Sequence, residues 1–156
     1  MPLVSTTHAA LRAAITDGIR GISPTAAIEQ GQGWEPQDDP DAVQSSSVRH
    51  FCISDMGSSS EVERGLVGQS SMEYSTDVTV LSSYGAMEQL QVPEVTDADR
   101  ADILAMLRSA ISAGNTGPIP GLTSLGPSDT TLIDLDDGQA LVEHTITVQY
   151  MKATRR

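Results

Sequence analysis

The sequence contains few of the residues that usually form catalytic sites, metal sites or disulfides. Among 156 residues there are one cysteine, five aromatic residues and nine Lys or Arg. The single Cys52 excludes an internal disulfide, and no Cys/His spacing typical of a zinc site occurs. No apolar run reaches the 18 residues of a membrane span, and no cationic stretch of a secretory signal precedes the first helix. We therefore expect one domain without a disulfide, a metal site or a transmembrane helix.

The few cations are unevenly distributed along the chain. Nine Lys and Arg stand against 21 acids, for a formal net charge of -12. This balance disfavours a general nucleic-acid or anionic-membrane binder, because polyanions would be repelled. Three of the nine cations lie in residues 152–156, so residues 1–151 hold six cations and 21 acids, a net -15. The basic tail could dock on an acidic neighbouring subunit, and plain solvation explains it equally well.

Two helices are predicted from apolar residues at helical spacing. The first ends before Pro24, and the second begins at Thr96 and ends at Gly114. Thr96 followed by Asp99 resembles a capping box, and aspartates in a first turn suit the positive end of the helix dipole. The predicted apolar stripes are Leu11, Ile15, Ile19 and Ile22 in the first helix, and Ile103, Leu104, Leu107, Ala110 and Ile111 in the second.

Four strands are predicted from β-branched residues and alternating polarity. They cover residues 48–53, 64–84, 130–135 and 140–151, with a hairpin turn at residues 136–138. The closing strand turns one apolar face to the core and is a possible receiving edge for another subunit. The fold class is therefore α+β, a mostly antiparallel sheet of about four to five strands packed with two helices.

The predicted single domain, residues 1–156, includes two irregular segments. Residues 29–47 form a long acidic loop without periodicity, and residues 64–71 could be an extended arm that reaches a neighbour. Trp34 stands alone in the loop. It either covers a sheet edge or helix end of its own chain, or anchors a subunit contact.

No constellation of residues indicates catalysis. The histidines His8, His50 and His144 are far apart in sequence, and Cys52 lies between apolar neighbours typical of a buried thiol. No serine triad, phosphate-binding loop or paired carboxylate pattern occurs. We expect no catalytic, cofactor-binding or metal-binding residues, and a protein that is not an enzyme. The candidate functional residues are instead at a subunit interface: Trp34, Arg64, Tyr74, Tyr84, Tyr150, Lys152, Arg155 and Arg156.

Four segments carry a resemblance to a known family. They are residues 49–53 (RHFCI), 72–81 (MEYSTDVTVL), 97–107 (DADRADILAML) and 142–151 (VEHTITVQYM). In this order, after a leading helix, they resemble the tail terminator family of long-tailed bacteriophages. The resemblance rests on the order and pattern of the elements and spans most of residues 49–151.

The resemblance implies a non-catalytic α+β subunit that assembles into a homo-hexameric ring in the neck of the virion. Such rings cap the tail tube, stop its polymerisation and present a surface to the head connector. The implied partners are other copies of the chain, the tail tube protein and the connector or stopper protein, with phage DNA passing through the lumen without specific binding. Assembly in the host cytoplasm and no membrane partner are expected. Three alternatives stay open: a head-completion or stopper protein of the same neck, a non-viral acidic protein-binding module, and a small enzyme.

Overall fold

The computed structural model describes residues 7–26, 33–43, 48–56, 60–61, 71–85, 92–136 and 139–153. Two helices, α1 (His8–Arg20) and α2 (Val92–Ala113), accompany a six-stranded sheet. The strands are β1 (Glu35–Pro36), β2 (Val48–Met56), β3 (Ser60–Glu61), β4 (Ser71–Tyr84), β5 (Leu122–Asp136) and β6 (Gln139–Ala153). The expected α+β class with two helices is confirmed.

The four long strands lie in the order β2-β4-β6-β5 and are antiparallel, as expected. The two-residue β1 pairs parallel with β2, and β3 pairs with the first half of β4. β4 and β6 pair without interruption from Ser71 with Ala153 to Tyr84 with Ala140. The closing strand β6 is therefore central, and the expectation that it forms a receiving edge is wrong.

The edge position belongs to β5, which is much longer than the predicted strand of residues 130–135. It begins at Leu122, and Gly126 and Pro127 lie inside it. These two residues suggest a link, but β5 accommodates one extra residue there: it advances from Leu125 to Ser128 while β6 advances by only two. Proline and bulges are tolerated at an edge, where one side of the ladder is unpaired.

The first helix confirms its prediction from Leu11 to Ile19, whereas the predicted stripe residue Ile22 lies beyond the helix end at Arg20. The Thr7 hydroxyl accepts a 3.1 Å hydrogen bond from the Ala10 N–H, and the stripe residues Leu11, Ile15 and Ile19 are buried. Gly18 lies against α2, where an added Cβ would come within 2.7 Å of the Met106 sulfur. A larger residue at this position would separate the two helices.

The second helix ends as expected but begins earlier than predicted. It starts at Val92, and Pro93 is tolerated in the first turn because its missing N–H has no intrahelical partner there. Thr96 lies in the second turn and donates a 3.2 Å hydrogen bond to the Pro93 carbonyl, so the predicted cap at Thr96 is wrong. At the other end, Gly114 adopts a φ of 65° and closes the helix.

Both helices pack on one face of the sheet. Even-numbered residues of β6 from Ala140 to Tyr150 are buried beneath them, which confirms the predicted alternation. On the opposite face, Val43 covers Cys52 and Leu81, so part of the predicted loop of residues 29–47 is ordered against the sheet. Within the described part of that loop, residues 33–43, there are also strand β1 and a short 3₁₀ turn.

Candidate functional site

A chain of polar side chains crosses the interior between α2 and the sheet. Arg49, Asp99, Tyr84 and His144 are each no more than 1% exposed. Buried polar groups are stable only when their hydrogen-bonding capacity is satisfied, so each contact in this chain has consequences for the others. We call these four residues, with Thr130, the buried polar network.

A backbone irregularity in β2 places the guanidinium of Arg49. The residue has a φ of 53°, a left-handed conformation that is uncommon for residues other than glycine. It lies where β2 contains one extra residue relative to β4, between Val48 and Phe51. A bulge with a left-handed residue redirects a side chain, and here Arg49 is turned into the core.

The carboxylate of Asp99 receives Arg49 through two hydrogen bonds. Arg49 Nε lies 2.9 Å from Asp99 Oδ2, and Arg49 Nη2 lies 3.0 Å from Asp99 Oδ1. Arg49 Nη2 also donates to the carbonyl of Ala26, and the guanidinium carbon lies 5.9 Å from the centre of the Trp34 ring. Arg49 therefore joins β2, α2 and the segment after α1.

The rest of the network links Arg100 to Tyr84 through Thr130 and His144. Arg100 Nη1 donates to Thr130 Oγ1 over 3.1 Å, and the Thr130 hydroxyl lies 3.1 Å from His144 Nδ1. His144 Nε2 lies 3.2 Å from the Tyr84 hydroxyl. A neutral imidazole accepts a hydrogen bond at one ring nitrogen and donates one from the other, so His144 can bond to Thr130 and Tyr84 at the same time.

The electrostatics agree with a neutral imidazole. Burial, with a smaller contribution from the positive Arg100, lowers the pKa of His144 from 6.5 to about 4. Burial and the charge of Asp99 raise the pKa of Tyr84 well above 10. Burial also raises the pKa of Asp99 above its usual value, although hydrogen bonds from Arg49 and Tyr84 act in the opposite direction.

This network is enclosed by its own chain, so its role is architectural. A substrate would have no access to groups that are almost completely buried. Its ion pair and hydrogen bonds instead fix α2 relative to β2, β4 and β6. The geometry thus gives a reason for one unique packing of helix on sheet, which is a known use of buried polar groups.

The outer edge of β5 has the opposite character. Within the described ranges, no strand pairs with β5 on the side away from β6. Leu132 is 48% exposed and Ile133 is 47% exposed, and they are the large apolar residues that stand out on the surface of the described chain. An open edge strand with exposed apolar side chains is typical of a surface that another chain covers.

The position of Leu132 shows why it is exposed. It pairs with Val142, which is buried in a cluster with Val92, Val95 and Tyr84. Paired residues of antiparallel strands share a face, so Leu132 continues this apolar cluster to the margin of the sheet. Ile133 is the extra residue of a bulge, since β5 advances from Leu132 to Asp134 while β6 advances by one.

Three of the predicted interface residues are packed inside the chain. Trp34 is 3% exposed and meets Phe51 edge-on at 5.6 Å, while Tyr84 and Tyr150 are fully buried. For Trp34 the intramolecular interpretation fits this placement, and a role of these residues in a subunit contact stays a prediction. Tyr74 is half-buried, with its ring 6.2 Å from that of Tyr150. A role of Tyr74 in a subunit contact stays a prediction.

The predicted cationic interface residues lie mostly beyond the described ranges. Arg64, Arg155 and Arg156 are outside them, and of the predicted arm over residues 64–71 only Ser71, the first residue of β4, is described. Lys152 belongs to β6, where its backbone pairs with Met72.

Two network residues absent from the sequence predictions, Asp99 and Arg49, have detectable signals in the sequence. Asp99 lies four residues before Ile103 and eight before Leu107, so it shares their buried helix face. Arg49 interrupts an apolar strand in the same way. A charged residue on an apolar face predicts a buried partner of opposite charge.

The described residues contain no group of three His, Cys, Asp or Glu that could hold a metal ion. In the same ranges, neither helix is long and apolar enough to cross a membrane. No protein-family model matches the chain, and no curated protein matches it significantly.

Proposed function

We propose that this protein is a structural subunit of the neck of a long-tailed bacteriophage, most specifically a tail terminator. Its copies form a ring that caps the tail tube, ends tube polymerisation and joins the tail to the head connector. The protein has no catalytic role in this proposal. The observation that carries it is the open edge of β5, on a domain whose order of helices and strands resembles that family.

The contrast between edge and interior supports a role as a subunit. A monomeric domain usually protects an edge strand with charges, bulges or a covering segment. β5 has bulges, yet Leu132 and Ile133 remain in solvent. Ring contacts are heterologous, so each subunit needs one surface that receives and another that is received. The β5 edge is suited to the receiving role.

The charge of the chain is compatible with a ring through which DNA passes. Six copies at -12 each would carry -72 formal charges. An acidic lumen repels the phosphate backbone, so DNA would move through it without being retained. The tail tube and connector proteins would then be contacted by the outer faces of the ring.

The proposal is tested by the mass of the assembly and by its effect on tubes. We expect native mass spectrometry to show a closed oligomer, alone or after addition of tail tube subunits. Electron microscopy should show rings and tubes with a cap at one end, and pre-formed rings should stop tube elongation. An acidic protein of similar size provides the control for non-specific inhibition.

The outcomes also separate the alternatives. A chain that stays monomeric at high concentration with tube subunits present would overturn the ring and favour an acidic protein-binding module. Rings that bind the head connector but leave tube elongation unchanged would favour a head-completion or stopper protein.

A further inference from the structure

We propose that the side chain of Arg12 closes the second edge of the sheet, so that copies of this chain cannot add strand to strand without limit. The β5 edge is open, whereas the opposite edge, formed by β2, is covered by groups of its own chain. If this cover is removed, the strand that docks on β2 is β5 of a second copy. The device goes beyond the proposed function, because it would limit the growth of any assembly.

The first half of the β2 edge is covered by strand β1 and the residue after it. Strand β1 pairs Glu35 with His50 and Pro36 with Phe51. The Gln37 N–H continues this contact and donates a 2.7 Å hydrogen bond to the Phe51 carbonyl. β1 is itself a poor template for a further strand, because it is only two residues long and its proline has no N–H to donate.

Arg12 covers the edge where β1 ends. Two residues beyond Phe51, the Ile53 carbonyl points to the same side of β2, because strand residues two apart direct their backbone groups alike. The guanidinium of Arg12 reaches this carbonyl from α1 and donates a hydrogen bond to it from Nη2. The acceptor that a further strand would need at this point is therefore already used within the chain.

The positive charge of Arg12 protects the edge in a second way. The side chain is exposed, so its charge is hydrated as well as bonded to Ile53. A strand of another copy that docks here would displace the guanidinium from the carbonyl and take part of it out of water, which is costly for a charged group. A charged side chain placed over an edge strand is a common protection against strand addition.

The two edges of the sheet therefore differ in what they offer to a second copy. β5 runs for 15 residues, and within the described ranges no strand pairs with its outer side. On the opposite side, β1 and β3 are two residues each, and Arg12 covers β2 between them. A sheet with two open edges could join β5 of one copy to β2 of the next and repeat this contact indefinitely, whereas a sheet with one open edge cannot.

Removal of the guanidinium tests the proposal in the full chain. Arg12→Ala removes the whole side chain, and Arg12→Met keeps its aliphatic stem but removes the donor and the charge. Arg20→Ala is the matched control, because it removes an exposed arginine of the same helix and gives the same net charge. Ile103→Val, a core change in α2, controls for aggregation caused by lower stability alone. Circular dichroism and urea unfolding establish that each variant is folded.

Assembly under native conditions is followed by sedimentation and electron microscopy. We expect both Arg12 variants to form elongated assemblies and to lower the concentration at which half of the protein sediments by about tenfold, because one hydrogen bond changes an association constant by up to that factor. Arg20→Ala and Ile103→Val should sediment as the unaltered chain does. Adding Leu132→Lys to Arg12→Ala should abolish the elongated assemblies, because a charge on β5 blocks the other half of the new contact.

Folded Arg12 variants that sediment like Arg20→Ala would overturn the proposal, and Arg12→Met alone decides this if Arg12→Ala does not fold. Equal aggregation of Ile103→Val would assign the effect to stability and would overturn it as well. Elongated assemblies that persist in the Arg12→Ala, Leu132→Lys double variant would show that β5 does not dock on β2, which is also contrary to the proposal. The proposed function is judged separately, by the mass of the unaltered assembly.

Discussion

The buried polar network and the β5 edge place polar and apolar groups in opposite ways. In the network, Arg49, Asp99, Tyr84 and His144 are taken out of water and matched within the chain. At the edge, Leu132 and Ile133 are left in water. The difference indicates that this domain completes its own interior packing but not its surface. Stability should therefore depend on the network, and association on the edge.

Breaking the Arg49–Asp99 ion pair of the network should have the largest effect on the free energy of unfolding. We expect Asp99→Ala to lower the free energy of unfolding by about 3–5 kcal/mol, because it leaves the Arg49 charge buried without its partner. Equilibrium unfolding in urea measures the change.

Asp97 provides the matched control in the same helix. Its side chain is 69% exposed and lies 3.6 Å from Arg100, so Asp97→Ala should cost less than about 1 kcal/mol. A double variant, Arg49→Met with Asp99→Leu, should recover most of the loss because it removes both charges. A loss for Asp99→Ala as small as that for Asp97→Ala would show that the pair is not important for stability.

The imidazole of the network should make stability depend on pH. The pKa of His144 is lowered to about 4 in the folded chain and is about 6.5 when the chain unfolds. At pH values between these two, the His144 imidazole is protonated in the unfolded chain and neutral in the folded chain. The free energy of unfolding should thus fall by about 3 kcal/mol as pH drops from about 7.5 to 4, and be independent of this group above about 7.5.

The difference between wild type and His144→Gln isolates this effect from that of the carboxylates, including Asp99, whose raised pKa acts in the opposite direction. Urea unfolding across this pH range should give a shallower fall for His144→Gln. Thr130→Val keeps the imidazole and should lose stability at all pH values while retaining the fall. Identical slopes for wild type and His144→Gln would contradict a neutral buried imidazole.

The sequence predicted the elements better than their arrangement. The stripe of Leu11, Ile15 and Ile19 and the alternation along β6 have local causes, because a helix or strand repeats every few residues. The edge position of β5 has no such local cause. Gly126 and Pro127 suggest a link, and only pairing with β6 shows that they are bulges in a strand.

In the candidate site, too, local features were predictable and those that depend on the arrangement of the elements were not. Leu132 and Ile133 lie in a strand that was predicted, but their exposure depends on which strand ends the sheet. Asp99 was assigned to a helix N-terminus, but the helix begins at Val92, so Asp99 lies in its second turn. Its pairing with Arg49 joins residues 50 positions apart, a contact that no local periodicity encodes.

Changes at the β5 edge should have the smallest effect on the free energy of unfolding and a large effect on association. Leu132→Ser removes an apolar side chain that is already about half in water, so it should lower the free energy of unfolding of the monomer by less than about 1 kcal/mol. Its paired neighbour Val142 is 1% exposed, and Val142→Ser should cost considerably more because it buries a hydroxyl in an apolar cluster.

In assembly the order should reverse: Leu132→Ser should abolish or weaken oligomers while the subunit stays folded. Unfolding measured at low concentration, together with sedimentation at high concentration, separates the two effects. If Leu132→Ser leaves the oligomer unchanged, the exposed edge is not the subunit contact, and the distinction between a closed interior and an open edge loses its functional meaning.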